Sequence, residues 1–217
     1  MSNGSINIDN IGNVQSFFGM NLDQILQKMK DAGIGTGGGS SGGSGTGGGS
    51  EPGSGNSTIT LDFPDKSELT VGNTVAFANK DWIVAHVTDT EAYLALSTVA
   101  SNTPIAWAQL QQACIDWANE FLKAENRAYL KSVLVETTCG IVFAASEEQL
   151  NGGFSYFNSN SKRKVGTAYW SSSGSTGFYA YWVDEDGVLD NGSYGSDESH
   201  EECFRPFICI DLTLYNT

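Results

Sequence analysis

One stretch divides this chain before any secondary structure is considered. Residues 34–55 hold 12 Gly and 5 Ser in 22 positions. Such a run has no apolar face to bury and loses the most backbone entropy on ordering, so it does not build a packed core. It is expected to behave as a flexible coil with an r.m.s. reach of about 25 Å. Its composition fits an engineered and a natural linker equally. Outside it, 14 Gly remain in 195 residues, close to an ordinary globular protein. The chain therefore reads as an N-terminal segment over residues 1–33, a Gly/Ser linker over 34–57 and one globular domain over 58–217. A domain of about 160 residues can bury a sizeable core without metals or disulfides.

The N-terminal segment ends in an amphipathic pattern. Asn21 fits an N-cap with Gln24 as its capping-box partner, and Gly33 fits the stop. Leu22, Ile25, Leu26 and Met29 follow at helical spacing, with Phe17, Phe18 and Met20 just upstream. A free helix of about ten residues is marginal in water. These apolar residues are expected to bind something, as a homo-oligomer (a trimer among the options) or in a partner's groove. Docking back on the domain is the plainer alternative, and a long leash argues against it.

Charge narrows the partners. With 25 Asp+Glu against 11 Lys+Arg, the net charge is −14. Such a surface repels phosphate backbones, so no nucleic-acid binding is expected. The only basic run, Lys162-Arg163-Lys164, is expected to be a solvated loop. No apolar stretch is long enough to span a membrane. Met1-Ser2-Asn3-Gly4-Ser5 lacks the basic region and apolar run of a secretory signal. The protein is expected to be made in a cytoplasm and to stay there, or to leave by lysis or as part of a particle.

From Ser57 the pattern is β-rich. Strands are expected over Thr58–Phe63, Val71–Phe77, Trp82–Val87 and Tyr93–Ser97. Thr103 and Pro104 then open a helix as N-cap and N1, with Trp107, Leu110, Cys114, Trp117 and Phe121 as its buried stripe. A short helix over Asn126–Leu134 and a buried strand over Ile141–Ala145 follow, and Ser146-Glu147-Glu148-Gln149 reads as a capping box. The four cysteines show no CxxC spacing, and Phe204–Ile208 reads as one strand that holds Cys203 and Cys209 too far apart to bridge. Four buried thiols are expected, and with only His86 and His200 present no zinc site is expected.

The last third is different in kind. Residues 154–207 carry 12 of the chain's 24 aromatics among Ser, Gly and Asn, the mixture that antibody paratopes use. A sugar-binding surface uses it too, and so does a loop-rich half-domain packed by its own rings. In strand 178–183, Phe178, Ala180 and Trp182 face one way and Tyr179, Tyr181 and Val183 the other. With Trp182 and Phe178 taken as core, Tyr179 and Tyr181 stand on the open face with Ser172, Ser173 and Tyr194 as the candidate ligand surface. Alternation is also compatible with the reverse assignment.

Four pieces in order carry a family likeness. They are Val71–Phe77 leading to Trp82-Ile83-Val84, Ser146–Leu150 after an apolar strand, Tyr169-Trp170-Ser171-Ser172-Ser173, and Phe204-Arg205-Pro206-Phe207-Ile208. The hairpin Tyr179–Val188 runs between the last two. The stretch 66–212 resembles a largely uncharacterised domain family of bacterial surface and phage structural proteins. That family is similar to the C-type-lectin-like fold of formylglycine-generating enzymes and of retroelement variable proteins. The resemblance implies an α+β domain with a twisted antiparallel sheet, about two helices and its termini on adjacent strands. It makes Trp170 and Arg205 structural, with Arg205 tying the last strand to earlier loops; Trp182 is taken as structural from strand parity.

The resemblance brings no enzyme with it. Formylglycine-generating enzymes use a cysteine pair and a metal, and no pair here has that spacing. His86 is expected to be packed in its strand. His200 lies among carboxylates with no nucleophile identifiable beside it. Residues 184–202 hold eight Asp/Glu, for which calcium is the natural cation. But Asp184-Glu185-Asp186-Gly187 breaks EF-hand spacing and fits a hairpin turn, so no cofactor is expected and calcium is not favoured. The reading is a non-enzymatic bacteriophage virion protein: a head fibre, decoration protein or tail-tip adhesin. Its N-terminus would hold a capsid or tail protein, and its lectin-like domain would meet a host-surface glycan or protein. The alternatives are a bacterial sugar-binding module outside any particle and, last, an enzyme of the formylglycine-generating type.

Overall fold

A computed structural model describes residues 4–7, 58–61, 63–122, 130–175, 179–192 and 200–215. The apolar set Phe17, Phe18, Leu22, Ile25, Leu26 and Met29, the Gly/Ser run, Phe178 and Tyr194 lie outside them. No helix among the described residues is long and apolar enough to cross a membrane.

Two strands flank the linker. β1 (Gly4–Asn7) pairs antiparallel with β2 (Thr58–Leu61), from Gly4 opposite Leu61 to Asn7 opposite Thr58. β2 matches the strand expected there, whereas β1 was not foreseen. In Gly4-Ser5-Ile6-Asn7 a single apolar residue, Ile6, stands among small and polar ones, too little alternation to reveal it. The pairing brings together the chain on either side of the 50 residues from 8 to 57.

The rest is a mixed α+β domain with two five-stranded sheets, not the single sheet expected. The first has the order β3-β4-β5-β12-β7, all antiparallel. Its strands are β3 (Thr74–Phe77), β4 (Lys80–Val87), β5 (Glu91–Leu96), β7 (Val142–Phe143) and β12 (Phe207–Asp211). β3 turns into β4 through Ala78 and Asn79, both at positive φ (52° and 58°), the left-handed pair that a two-residue hairpin requires. The second sheet has the order β10-β9-β8-β11-β6. It comprises β6 (Ile105–Ala106), β8 (Tyr169–Ser175), β9 (Tyr179–Val183), β10 (Leu189–Gly192) and β11 (Glu201–Phe204), with β8 and β11 parallel. The termini of the domain are not on adjacent strands: β12 sits between β5 and β7, and β3 lies at the edge.

Period-two alternation explains how the layers stack. In the first sheet Trp82, Val84, Leu94, Leu96, Val142, Ile208 and Ile210 face a core shared with Phe121, Leu130 and Val133. Ala85, Ala95, Phe143 and Phe207 face the opposite way, onto Leu150, Phe154, Phe157, Tyr169, Val183 and Cys203. A third core lies beyond the second sheet, where Trp170, Ala180 and Phe204 meet Leu110 and Cys114.

Three expectations need correction. Residues 204–208 are not one strand: Arg205-Pro206 breaks it, and the chain steps from one sheet into the other there. Pro206 has no N–H for a ladder, and its carbonyl instead accepts from Leu96 N–H at 2.9 Å. Thr103 and Pro104 cap no helix, because Ile105 and Ala106 are drawn into a ladder with Glu202 and Glu201. Trp107–Gln109 is a 3-10 turn, and the α-helix, α1, spans Leu110–Leu122. Of its stripe, Leu110, Cys114 and Phe121 are buried, while Trp107 and Trp117 are half-buried. Of the second expected helix, Asn126–Leu134, the described part is the turn α2 (Leu130–Val133), with residues 126–129 outside the described set. Lastly, Cys139 is exposed, because it sits in a tight turn closed by Thr137 and Gly140; Cys114, Cys203 and Cys209 are buried, and all four are free thiols.

Candidate functional site

The capping box at Ser146 forms as its spacing predicts. Ser146 N–H donates to Gln149 Oε1 at 2.8 Å, and Gln149 N–H donates to Ser146 Oγ at 3.2 Å. This turn positions Glu147, whose N–H donates to Ser173 Oγ at 2.8 Å. Ser172 N–H and Ser171 Oγ both donate to Ala145 O. The Ser171–Ser173 segment is thus stitched to the end of β7, and the pairing of β8 with β9 shifts register between Trp170 and Gly174.

Alternation separates the candidate ligand residues: β8 carries two extra residues between Trp170 and Gly174, so Ser172 keeps the face of Trp170 and Trp182. Ser172 lines a groove of about 270 Å³ with Trp107, Ala108, Leu110, Gln111, Cys114, Cys139 and Ala144, on the α1 side of the second sheet. Trp107 closes one wall. Its Nε1 donates to Ser171 O at 3.0 Å, and its ring lies so close over Gly174 that a Cβ there would come within 2.5 Å of it. Tyr179, Tyr181 and Val183 project to the opposite face by alternation. Val183 is buried against the first sheet, while Tyr179 is exposed and Tyr181 half-buried. The two tyrosine rings meet edge to face, centroids 5.7 Å apart and 80° between planes. Asn191, paired with Tyr181 across β10, is exposed beside them. The open part of this face therefore offers two fixed rings and an amide, without Ser172.

Trp182, expected in the core, is half-buried and faces the α1 side. Its ring and that of the buried Trp170 flank His200, each with a centroid 5.4 Å from the imidazole. His200 Nε2 is 3.1 Å from Glu202 Oε1. Burial, more than the neighbouring Glu185, holds the Glu202 carboxyl above its ordinary range, and His200 opposes that shift. His86 is half-buried at the edge of the inter-sheet core. It stacks on Phe154 and shares a 2.9 Å hydrogen bond with Ser155 Oγ.

Arg205 is fully buried at the crossing between the sheets. Its Nε donates to Leu96 O at 2.7 Å, and its Nη1 lies 3.5 Å from both Arg163 O and Tyr169 Oη. The rings of Phe157, Tyr169 and Phe207 surround its guanidinium carbon at 5.3–6.0 Å. Carbonyls and π faces, not a carboxylate, surround this charge among the described residues.

Arg163 overturns the solvated-loop reading of the basic run. It ends the single turn α3 (Asn160–Arg163) and is buried. Nε donates to Gly187 O at 2.9 Å and Nη1 to Leu150 O at 3.1 Å, while Nη2 donates to Asn160 Oδ1. Its neighbours stay outside: Lys162 lies over the Tyr156 ring and Lys164 pairs with Asp186 at 2.9 Å. Charge runs do not distinguish these fates. The alternation of Lys, Arg and Lys around one guanidinium that can satisfy several carbonyls is the only hint the sequence carries.

The acidic hairpin is held from within. Asp184 Oδ1 accepts from Asp186 N–H and Val188 N–H, and Gly187 adopts φ +82° where the backbone of Asn160 leaves no room for a side chain. Among the described residues, no three His, Cys, Asp or Glu side chains are grouped to hold a metal ion. No protein-family model, no curated protein and no solved structure matches this chain.

Proposed function

We propose that this is a non-enzymatic display protein whose domain binds a host-surface ligand, most simply a glycan, through the Tyr179–Tyr181 face, and that it serves as a virion fibre, decoration protein or adhesin. The lectin-like family reading of the domain belongs to the same proposal. The observation that carries it is the edge-to-face tyrosine pair on the open part of a face that is otherwise buried against the first sheet. Rings held in this way present flat apolar surface at little entropic cost, and Asn191 supplies donors and acceptors beside them. The Gly/Ser run supports display, because it gives whatever the 17–29 segment grips freedom relative to the domain. The β1–β2 pairing refines this picture: residues 4–7 and 58–61, on either side of the run in sequence, pair with each other.

The virion part is tested by mixing the purified protein with particles that lack it and sedimenting them. Saturable co-sedimentation that is lost on substituting Leu22, Ile25 and Leu26 by Ser supports the reading. Protein left in the supernatant at all concentrations overturns it.

A further inference from the structure

The groove beside Ser172 carries an inference independent of the ligand face. Two of the four thiols line it. Cys114 is buried in its floor on α1, and Cys139 is the exposed thiol in the turn above. The two elements are already joined: Gln111, one helical turn before Cys114 and on the same side of α1, donates from Nε2 to Cys139 O at 3.4 Å. Cys139 rides on a turn between Val135, whose N–H donates to Cys209 O, and β7. It is closed by the reciprocal Thr137–Gly140 backbone bonds and pivots on Gly140 at φ +104°. Cys203 and Cys209 do not line this groove and sit on strands of different sheets.

We propose that Cys114 and Cys139 form a disulfide when the protein meets a small oxidising disulfide, stapling α1 to the 137–140 turn and closing the groove. The chemistry balances in two exchanges. The exposed Cys139 thiolate attacks one sulfur of oxidised glutathione, whose S–S bond breaks and releases one glutathione thiolate. Cys114 then gives up its proton to solvent, and its sulfur attacks Cys139 Sγ, expelling the second glutathione thiolate. Two protein thiols are oxidised and one glutathione disulfide is reduced to two thiols. Burial pushes the Cys114 thiol up to about 12, so the second exchange is the slow one, and its rate climbs about tenfold per pH unit between 7 and 9.

The test treats the full-length protein with oxidised glutathione at pH 8 and maps tryptic peptides without reduction. The expected product loses two hydrogens and joins peptide 81–123 to peptide 132–162 within one chain. Cys114→Ser should stop at a stable glutathione adduct on Cys139, and Cys139→Ser should stay unmodified under native conditions. A wild-type protein that halts at the Cys139 adduct overturns the proposal. So does a link between Cys139 of two chains, or a bridge that uses Cys203 or Cys209.

Discussion

Arg163 and Arg205 meet at one atom. The backbone oxygen of Arg163 lies 3.5 Å from Arg205 Nη1 and also accepts the Tyr169 hydroxyl at 3.0 Å, while the Arg163 side chain reaches away to Leu150 and Gly187. The two buried guanidiniums thus fasten the aromatic, loop-rich half of the domain to the crossing between the sheets. Removing Arg205 leaves Leu96 O without its side-chain donor and a void among three rings. Arg205→Ala is expected to cost about 3–5 kcal/mol in urea unfolding. Ligand binding by whatever fraction remains folded should be unchanged. A variant that melts normally but loses ligand would contradict the structural role.

Gly187 is held by two independent constraints, and a neighbour separates them. Both Gly166 and Gly187 have φ above +80°, but an added Cβ meets nothing within 4 Å at Gly166 and falls 2.0 Å from Asn160 O at Gly187. Gly166→Ala should cost about 1–2 kcal/mol, the left-handed penalty alone. Gly187→Ala should cost clearly more and loosen the Arg163 bond to Gly187 O. Equal losses in a thermal melt would show that the Asn160 contact yields freely.

Alkaline pH should unfold this protein early. Burial raises the thiols of Cys114, Cys203 and Cys209 and the phenols of Tyr169 and Tyr215, with Cys114 and Cys209 reaching about 12. In the unfolded chain thiols ionise near 8.5 and phenols near 10. The folded state therefore keeps protons that the unfolded state releases. The associated stability is complete below about pH 8.5 and is lost as pH rises towards 12. A urea midpoint that falls steadily from pH 8.5 to 10.5 is expected; a flat profile would contradict this burial.

The N-terminal segment should control assembly. The full-length protein is expected to run as an oligomer in light scattering, and a chain beginning at Ser57 as a monomer that keeps its melting temperature within a few degrees. Equal masses for the two would place self-association elsewhere.

Local chemistry was legible and tertiary competition was not. Ser146 and Gln149 lie three apart and bond as that spacing requires, and Asp184–Gly187 turns as its residues demand. Thr103-Pro104 looked like a helix start because propensity cannot foresee that Ile105 and Ala106 are claimed by Glu201 and Glu202 from the far end of the chain. Arg163 looked like Lys162 and Lys164 for the same reason: its partners Gly187 and Leu150 are distant in sequence. The Tyr179–Tyr181 face followed from strand parity. The separation of Ser172 from it rests on the pairing of Trp170 with Trp182, which alternation within either strand alone does not reveal.

The most direct test of the ligand face compares the wild type with Tyr179→Ala/Tyr181→Ala on an array of bacterial surface glycans and on intact host cells. The expected result is saturable wild-type binding that weakens at least about tenfold in the double variant, about 1.4 kcal/mol, with an unchanged melting temperature. Wild-type binding that survives the double substitution, or no binding to any surface by the wild type, would contradict it.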